Sequence, residues 1–262
     1  MLRIAVQSKG RLYEDTMALL SEADVKVSSA RRTLLVRAKN FPVEILYLRD
    51  DDIPRTVAEV IRKLGFGACR LSLAVPKDVD YTDVRWFESR RIATSYPRIL
   101  TRYLNEQGVN AEVHVITGSV EVSTSIGIAD AIFDIVSSGS TLVSNNLKEV
   151  EVVMESEAVM IGNPLMSGYK RSILDELLFR IEAVKSAEGK KYVLMNVPKD
   201  RVDDILAVLP GVKSPTVMPL ADDAWCSVHT VLDEERFWEI IGQLKENGAQ
   251  GILVVPIEKM II

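Results

Sequence analysis

Asp130-Ala131-Ile132-Phe133-Asp134-Ile135-Val136-Ser137-Ser138-Gly139-Ser140-Thr141 is an apolar run that empties into small hydroxyl residues around one glycine. Residues 131–136 read as a buried strand, and the loop behind them is predicted to open a helix running through Leu147. Successive backbone N–H groups in such a loop aim at one spot, and a helix start favours negative charge, so the loop suits a phosphate. The hydroxyls of Ser137, Ser138, Ser140 and Thr141 add donors beside Gly139. Asp134 stands just upstream, where a carboxylate can accept hydrogen bonds from ribose hydroxyls, with Asp130 a second candidate. A sugar phosphate fits this pairing better than free phosphate does. Read from composition alone, the same residues also make a plain strand-to-helix turn.

Outward from this stretch, strands alternate with helices. Towards the N-terminus come strands at 3–6, 33–37 and 43–48, with an amphipathic helix at 12–23 between the first two. Asp52-Ile53-Pro54 reads as a helix start, and a strand at 69–75 closes on Pro76. Residues 77–90 are polar and read as surface loop. A strand at 91–94 leads through Ser95-Tyr96-Pro97 into a helix ended by Gly108, then a strand at 112–116 and a short helix from Val120. This alternation predicts parallel, doubly wound α/β sheets, one before about residue 90 and one after. A strand at 152–161 and a long helix at 169–184 follow. Beyond a linker at 187–190 the order becomes βαββαβ, the ferredoxin-like unit, with Asp233 as the cap of its second helix. The expected domains are therefore 1–90 with 153–187, then 91–152, then 188–262.

Composition narrows the function. With 32 Lys+Arg against 37 Asp+Glu, the net charge is −5, which argues against a nucleic-acid-binding protein with a broad basic face. An anionic ligand must be held by a local site. Two cysteines make neither a disulfide framework nor a zinc cluster, and a cytoplasmic setting is expected. The opening apolar run is too short for a signal peptide, and no membrane span is expected. Two histidines, His114 and His229, each lie in an alternating strand pattern, so a Ser-His-Asp hydrolase or a His-ligated metal enzyme is a poor fit. Three further groups could carry chemistry. Ser8-Lys9-Gly10-Arg11 sets two cations around a glycine at a strand–helix junction, which suits a polyphosphate and also reads as a solvated basic turn. Arg49-Asp50-Asp51-Asp52 offers Arg49 as a ligand contact and Asp50 and Asp51 as metal-side groups. Thr94-Ser95-Tyr96-Pro97 places an aromatic ring at a helix start. All lie where open α/β sheets bind ligands.

Glu121, Gly127, Ala129, Ile132, Asp134, Ile135, Ser138, Gly139, Thr141 and Leu142 stand at the spacing E-x5-G-x-A-x2-I-x-D-I-x2-S-G-x-T-L. The pattern resembles the signature of the ATP phosphoribosyltransferases, and further similar segments run almost end to end. The tail after residue 189 looks like the regulatory domain of the family's long form. The resemblance implies the first step of histidine biosynthesis: ATP and phosphoribosyl pyrophosphate, with Mg²⁺, give phosphoribosyl-ATP and pyrophosphate. It also implies two periplasmic-binding-like lobes with a cleft, a ferredoxin-like domain, dimers and hexamers, and feedback inhibition by histidine.

In that frame residues 137–141 take the 5′-phosphate, and Asp134 and Asp130 the ribose. Lys9, Gly10, Arg11 and Arg49 take the pyrophosphate and ATP side, with Tyr96 in the cleft. Histidine would meet Asn196, Val212, Thr216, Val231 and the backbone near Gly251. No position is assigned to the metal. One departure stands out: the family carries Gly-x-x-Asp-x-Gly-Ile after the Asp-Ile-Pro helix, whereas residues 57–63 run straight into Leu64-Gly65-Phe66-Gly67. Either a stretch is missing from this sequence or the protein lacks part of its first sheet. An inactive paralogue, or a ligand-sensing module that keeps the two lobes and the histidine-binding tail, is the alternative function.

Overall fold

The computed structural model describes residues 1–28, 34–48, 59–209 and 215–262. Asp50, Asp51, the Asp52-Ile53-Pro54 helix start, Arg49 and Val212 lie outside these. Contacts divide the chain into two compact units, one of Met1–Ser8, Thr16–Ile53 and Met166–Ile262, the other of Lys9–Asp15 and Pro54–Leu165.

In the first unit β1 (Leu2–Gln7) runs parallel to β3 (Val43–Leu48), and β2 (Leu35–Arg37) lies antiparallel on the far side of β3. Val43 and Ile45 of the central strand are fully buried. Helix α1 (Arg11–Glu22) begins in the second unit and ends in this one, burying Leu19 and Leu20. Helix α4 (Gly168–Ala187) buries Ile173, Leu174, Leu177, Ile181 and Val184, a stripe at helical spacing.

The C-terminal part of this unit follows βαββαβ as predicted: β11 (Lys190–Pro198), α5 (Val202–Val208), β12 (Thr216–Pro219), β13 (Trp225–Asp233), α6 (Glu234–Glu246) and β14 (Gln250–Pro256). The antiparallel sheet order β12-β13-β11-β14 is that of a ferredoxin-like unit. Val193, Met195, Val197, Val228 and Leu232 form a core with Ile205 of α5 and Phe237 and Leu244 of α6. Both helices therefore cover one face. Asp233 occupies the cap position of α6, but its carboxylate makes no cap hydrogen bond; it accepts from Lys190 Nζ at 2.8 Å instead.

The second unit is built on a five-stranded sheet ordered β7-β6-β8-β5-β9. Strands β6 (Arg91–Thr94), β7 (Glu112–Val115) and β8 (Ala131–Val136) are parallel; β5 (Cys69–Pro76) and β9 (Leu147–Ser156) are antiparallel to their neighbours. The sheet is thus mixed. Its strand β5 also falls on the other side of the boundary expected at residue 90. Five consecutive buried residues, Leu71 to Val75, require cover on both faces, and pairing with β8 and β9 on its two edges makes β5 a central strand of this sheet.

Four local expectations are corrected. Residues 77–90 are no mere surface loop: a 3-10 turn at Val84–Phe87 sends Phe87 into the core. The helix expected from Val120 is a single 3-10 turn, Val120–Val122. Helix α3 (Ser140–Ser144) stops short of Leu147, because Asn146 turns left-handed (φ 56°) and Leu147 opens β9. The strand expected at 152–161 is divided between the end of β9 and β10 (Val159–Gly162). Strand β10 pairs in an antiparallel ribbon with β4 (Glu59–Lys63), where β-branched Val60 and Ile61 take extended backbone.

Candidate functional site

The carboxyl ends of β6, β7 and β8 lie along one edge of the parallel trio, and each delivers a polar loop. After β6, buried Thr94 accepts a hydrogen bond from the Tyr96 amide at 2.8 Å, and Ser95 donates to Ile116 O at 2.7 Å. Ile116 N returns a bond to Thr94 O at 3.0 Å, so the first two loops are stitched together. The Tyr96 ring packs against the core around Leu100. That contact anchors one side of the half-buried ring.

Residues 137–141 follow β8 as predicted. Gly139 sits at φ 80°, a left-handed conformation costly for any residue with a Cβ. The turn lifts the backbone amides out of the strand. Ser138 Oγ and Ser140 Oγ lie 3.0 Å apart. Among the described residues, no acceptor lies within bonding distance of the amides of Ser138, Gly139 and Thr141. Helix α3 (Ser140–Ser144) has only five residues, too few to sum much of a dipole. An anion here would be held by individual amides and hydroxyls rather than by the field of a long helix.

Asp134, two residues before the end of β8, accepts from the Ile135 amide at 2.8 Å. Burial is the main cause that pushes its pKa above the ordinary aspartate value, with a further push from the negative charge of Glu121. Glu121 belongs to the 3-10 turn behind β7. The fold therefore brings the negative charge of Glu121 near enough to Asp134 to be felt there. Glu121 is also the first fixed position of the signature pattern.

Asp130 is not part of this edge. It precedes β8, whose six residues separate it from the loop by about 20 Å of extended chain. Both its oxygens are engaged by Arg91, Oδ1 with Nη2 at 2.9 Å and Oδ2 with Nε at 3.2 Å, and Oδ2 also accepts from the Arg91 amide. The Arg91 hydrogen bond holds its pKa below the usual carboxylate range. Asp130 is a clasp at the opposite end of the strand.

Lys9, Gly10 and Arg11 lie at the start of α1, exposed, with Arg11 Nε 4.0 Å from Asp15 Oδ2. Their neighbour Leu12 sits so close to Gly67 (φ 64°) that a Cβ there would meet its Cδ2 at 2.8 Å. At that φ a residue with a Cβ is strained, and the end of the Leu12 side chain would also have to shift to admit it. In the C-terminal sheet Asn196 pairs with Ser227, Thr216 with His229 and Val231 with Tyr192. Asn196 and Val231 alternate with buried residues, and Thr216 shares the face of its partner His229, so all three lie on the face that α5 and α6 leave uncovered. Gly251 backs onto Asn196, whose Nδ2 would be 3.4 Å from a Cβ at that glycine. On the same face Tyr192 Oη and Ser227 Oγ hydrogen-bond the two ring nitrogens of His229, at 2.9 and 2.8 Å.

The ATP phosphoribosyltransferase family model matches residues 48–183, more than half the chain, and the model for its C-terminal domain matches 187–259. The chain belongs to the ATP phosphoribosyltransferase family. An ATP phosphoribosyltransferase of Bacteroides fragilis is 66% identical over 283 residues covering all of both chains, and one of Cytophaga hutchinsonii is 51% identical over 99% of this chain and 98% of its own. Among solved structures, a chain of the ATP phosphoribosyl transferase (HisG:HisZ) complex from Thermotoga maritima superposes with a TM-score of 0.58 at 26% identity, covering 70% of this chain and 99% of that one. As a member of the family the chain is a pentosyltransferase of the first step of histidine biosynthesis. The Bacteroides alignment spans 283 positions against 262 residues here, so at least 21 of them (283 − 262) fall opposite a gap in this chain.

Proposed function

We propose that the carboxyl edge of β6, β7 and β8 binds phosphoribosyl pyrophosphate. Residues 137–141 hold its 5′-phosphate and Asp134 its ribose hydroxyls. The observation that carries this reading is the group of amides at Ser138, Gly139 and Thr141, without protein acceptors, beside a half-buried carboxylate. Adenine N1 of ATP attacks the anomeric carbon with its own lone pair as the bond to pyrophosphate breaks, so no residue need first remove a proton from the nucleophile. The enzyme's work is to hold both substrates in line and to stabilise an oxocarbenium-like sugar and the departing pyrophosphate. Ionised Asp134 stabilises the positive sugar. Lys9, Arg11 and Arg49 serve the pyrophosphate and ATP.

Mg²⁺ fits this arrangement. It usually takes one or two carboxylates and completes its shell with water and substrate phosphates. Asp134 offers one such carboxylate beside the loop, and no group of three or more potential metal ligands gathers among the described residues. When bound, the ion neutralises charge on the pyrophosphate.

Ser138→Ala with Thr141→Ala should weaken phosphoribosyl pyrophosphate binding by several-fold to about a hundredfold, the range for losing ~1–3 kcal/mol of hydrogen bonding to a charged group. Titration calorimetry checks this, and unchanged affinity removes the loop from the site. Following the absorbance of the N1-substituted product in a mixture of both substrates and Mg²⁺ separates an active enzyme from an inactive paralogue.

The uncovered face of the C-terminal sheet supports a histidine site between copies of the chain, assembled as dimers and hexamers in the cytoplasm. Asn196 and Thr216 would hold the polar groups, and Val231 would form a wall. Asn196→Ala is expected to raise the histidine concentration for half-inhibition about tenfold while leaving uninhibited turnover unchanged. Wild-type sensitivity in that variant would move the effector elsewhere.

A further inference from the structure

Arg70 lies on β5, opposite Val136 of β8, and its guanidinium is used on all three nitrogens. Nε and Nη2 grip the two carboxylate oxygens of Glu149 on β9 at 2.5 and 2.6 Å. Nη1 donates to the main-chain carbonyl of Ser137 at 3.0 Å. The planar fork cannot swivel about one partner without losing the others. Glu149 therefore fixes the plane of the guanidinium, and that plane fixes the Ser137 carbonyl.

The consequence follows from peptide geometry. The Ser137–Ser138 bond is trans, so its C=O and N–H point in opposite directions. A carbonyl held towards Arg70 sends the Ser138 N–H away from it, and that amide has no protein acceptor. The positive charge on the carbonyl also polarises the peptide and strengthens its N–H as a donor. From this geometry we infer that Arg70, braced by Glu149, is a positioning residue that presets the Ser138 amide for the phosphate of the sugar donor. Neither side chain touches substrate. The inference rests on the assignment of residues 137–141 to the 5′-phosphate.

The test uses the full-length enzyme and three variants, Arg70→Met, Arg70→Lys and Glu149→Gln. Arg70→Met should raise KM for phosphoribosyl pyrophosphate about tenfold and leave KM for ATP within twofold. Arg70→Lys keeps the charge but reaches fewer partners, so it should recover only part of the loss. Glu149→Gln keeps the shape and removes the brace, and should fall between wild type and Arg70→Met. Binding of ribose 5-phosphate, measured by calorimetry, should weaken in the same order. A folded Arg70→Met enzyme with wild-type KM for the sugar donor overturns the inference. So does a uniform loss in both KM values that tracks a lowered melting temperature, since a purely structural role predicts that. If Arg70→Met fails to fold, the other two variants decide by the same criteria. The underlying assignment fails separately, when Ser138→Ala with Thr141→Ala leaves sugar-donor binding intact.

Discussion

Asp134→Asn should lower kcat/KM for phosphoribosyl pyrophosphate by about 100-fold. A hydrogen bond to a charged group contributes ~1.5–3 kcal/mol. Losing the charge from two ribose contacts and from an oxocarbenium-like sugar therefore amounts to about 3 kcal/mol, and each 1.4 kcal/mol is a factor of ten. Stability should move the other way. Burial and Glu121 raise the Asp134 pKa in the folded chain, so the folded state disfavours the ionised form. The stability this shift contributes is present below the ordinary aspartate pKa and is lost as pH rises through the raised value. At neutral pH the neutral Asn escapes that cost, and its side-chain oxygen can still accept from Ile135 N. The variant should melt slightly above wild type while turning over poorly. In wild type, the acid limb of kcat/KM should fall through a pKa above the usual aspartate value, and Glu121→Gln should shift that limb to lower pH. Wild-type rates in Asp134→Asn would remove this carboxylate from the chemistry.

Phe133→Ala should destabilise the second unit by ~3–5 kcal/mol, the usual cost of truncating a buried phenylalanine. Phe133 is 0% exposed, lies between Leu73 of β5 and Thr94 of β6, and belongs to the same core as Phe87, Leu100 and Leu104. Few neighbours can collapse into the space. A domain has only ~5–15 kcal/mol in hand, so the urea midpoint should fall sharply. Ile135, two residues on, is 48% exposed, and its change to alanine should cost well under half as much. Trp86 packs against the same core, so its fluorescence reports on this unit even if the two units unfold in separate steps. Equal midpoints for the two variants would contradict the packing described.

The legible parts of the sequence were those governed by neighbours in the chain. Strand β8, Gly108 as the stop of α2 (Pro97–Gln107), the βαββαβ tail and the hydroxyl-rich loop each follow from a local pattern of apolar spacing, glycine and turn residues. Reading failed where a distant partner decided the outcome. Asp130 and Asp134 are both acids in one apolar stretch. Pairing with Arg91, 39 residues away, turns the first into a clasp, while burial and, less strongly, the charge of Glu121 raise the pKa of the second. Arg70 carries no local signal at all, since its role depends on Glu149 and Ser137 being brought to it from two other strands.

The chain's order of residues alone determined most of the secondary elements, the family signature and the hydroxyl-rich loop after β8. Tertiary structure alone decided that Asp130 is tied to Arg91, which sheet receives β5, and that Arg70 reaches the Ser137 carbonyl. The physical reason is range. Hydrophobic period and backbone conformation are set within a turn or two of chain, whereas burial, charge coupling and forked hydrogen bonds depend on groups that only folding brings within a few ångströms.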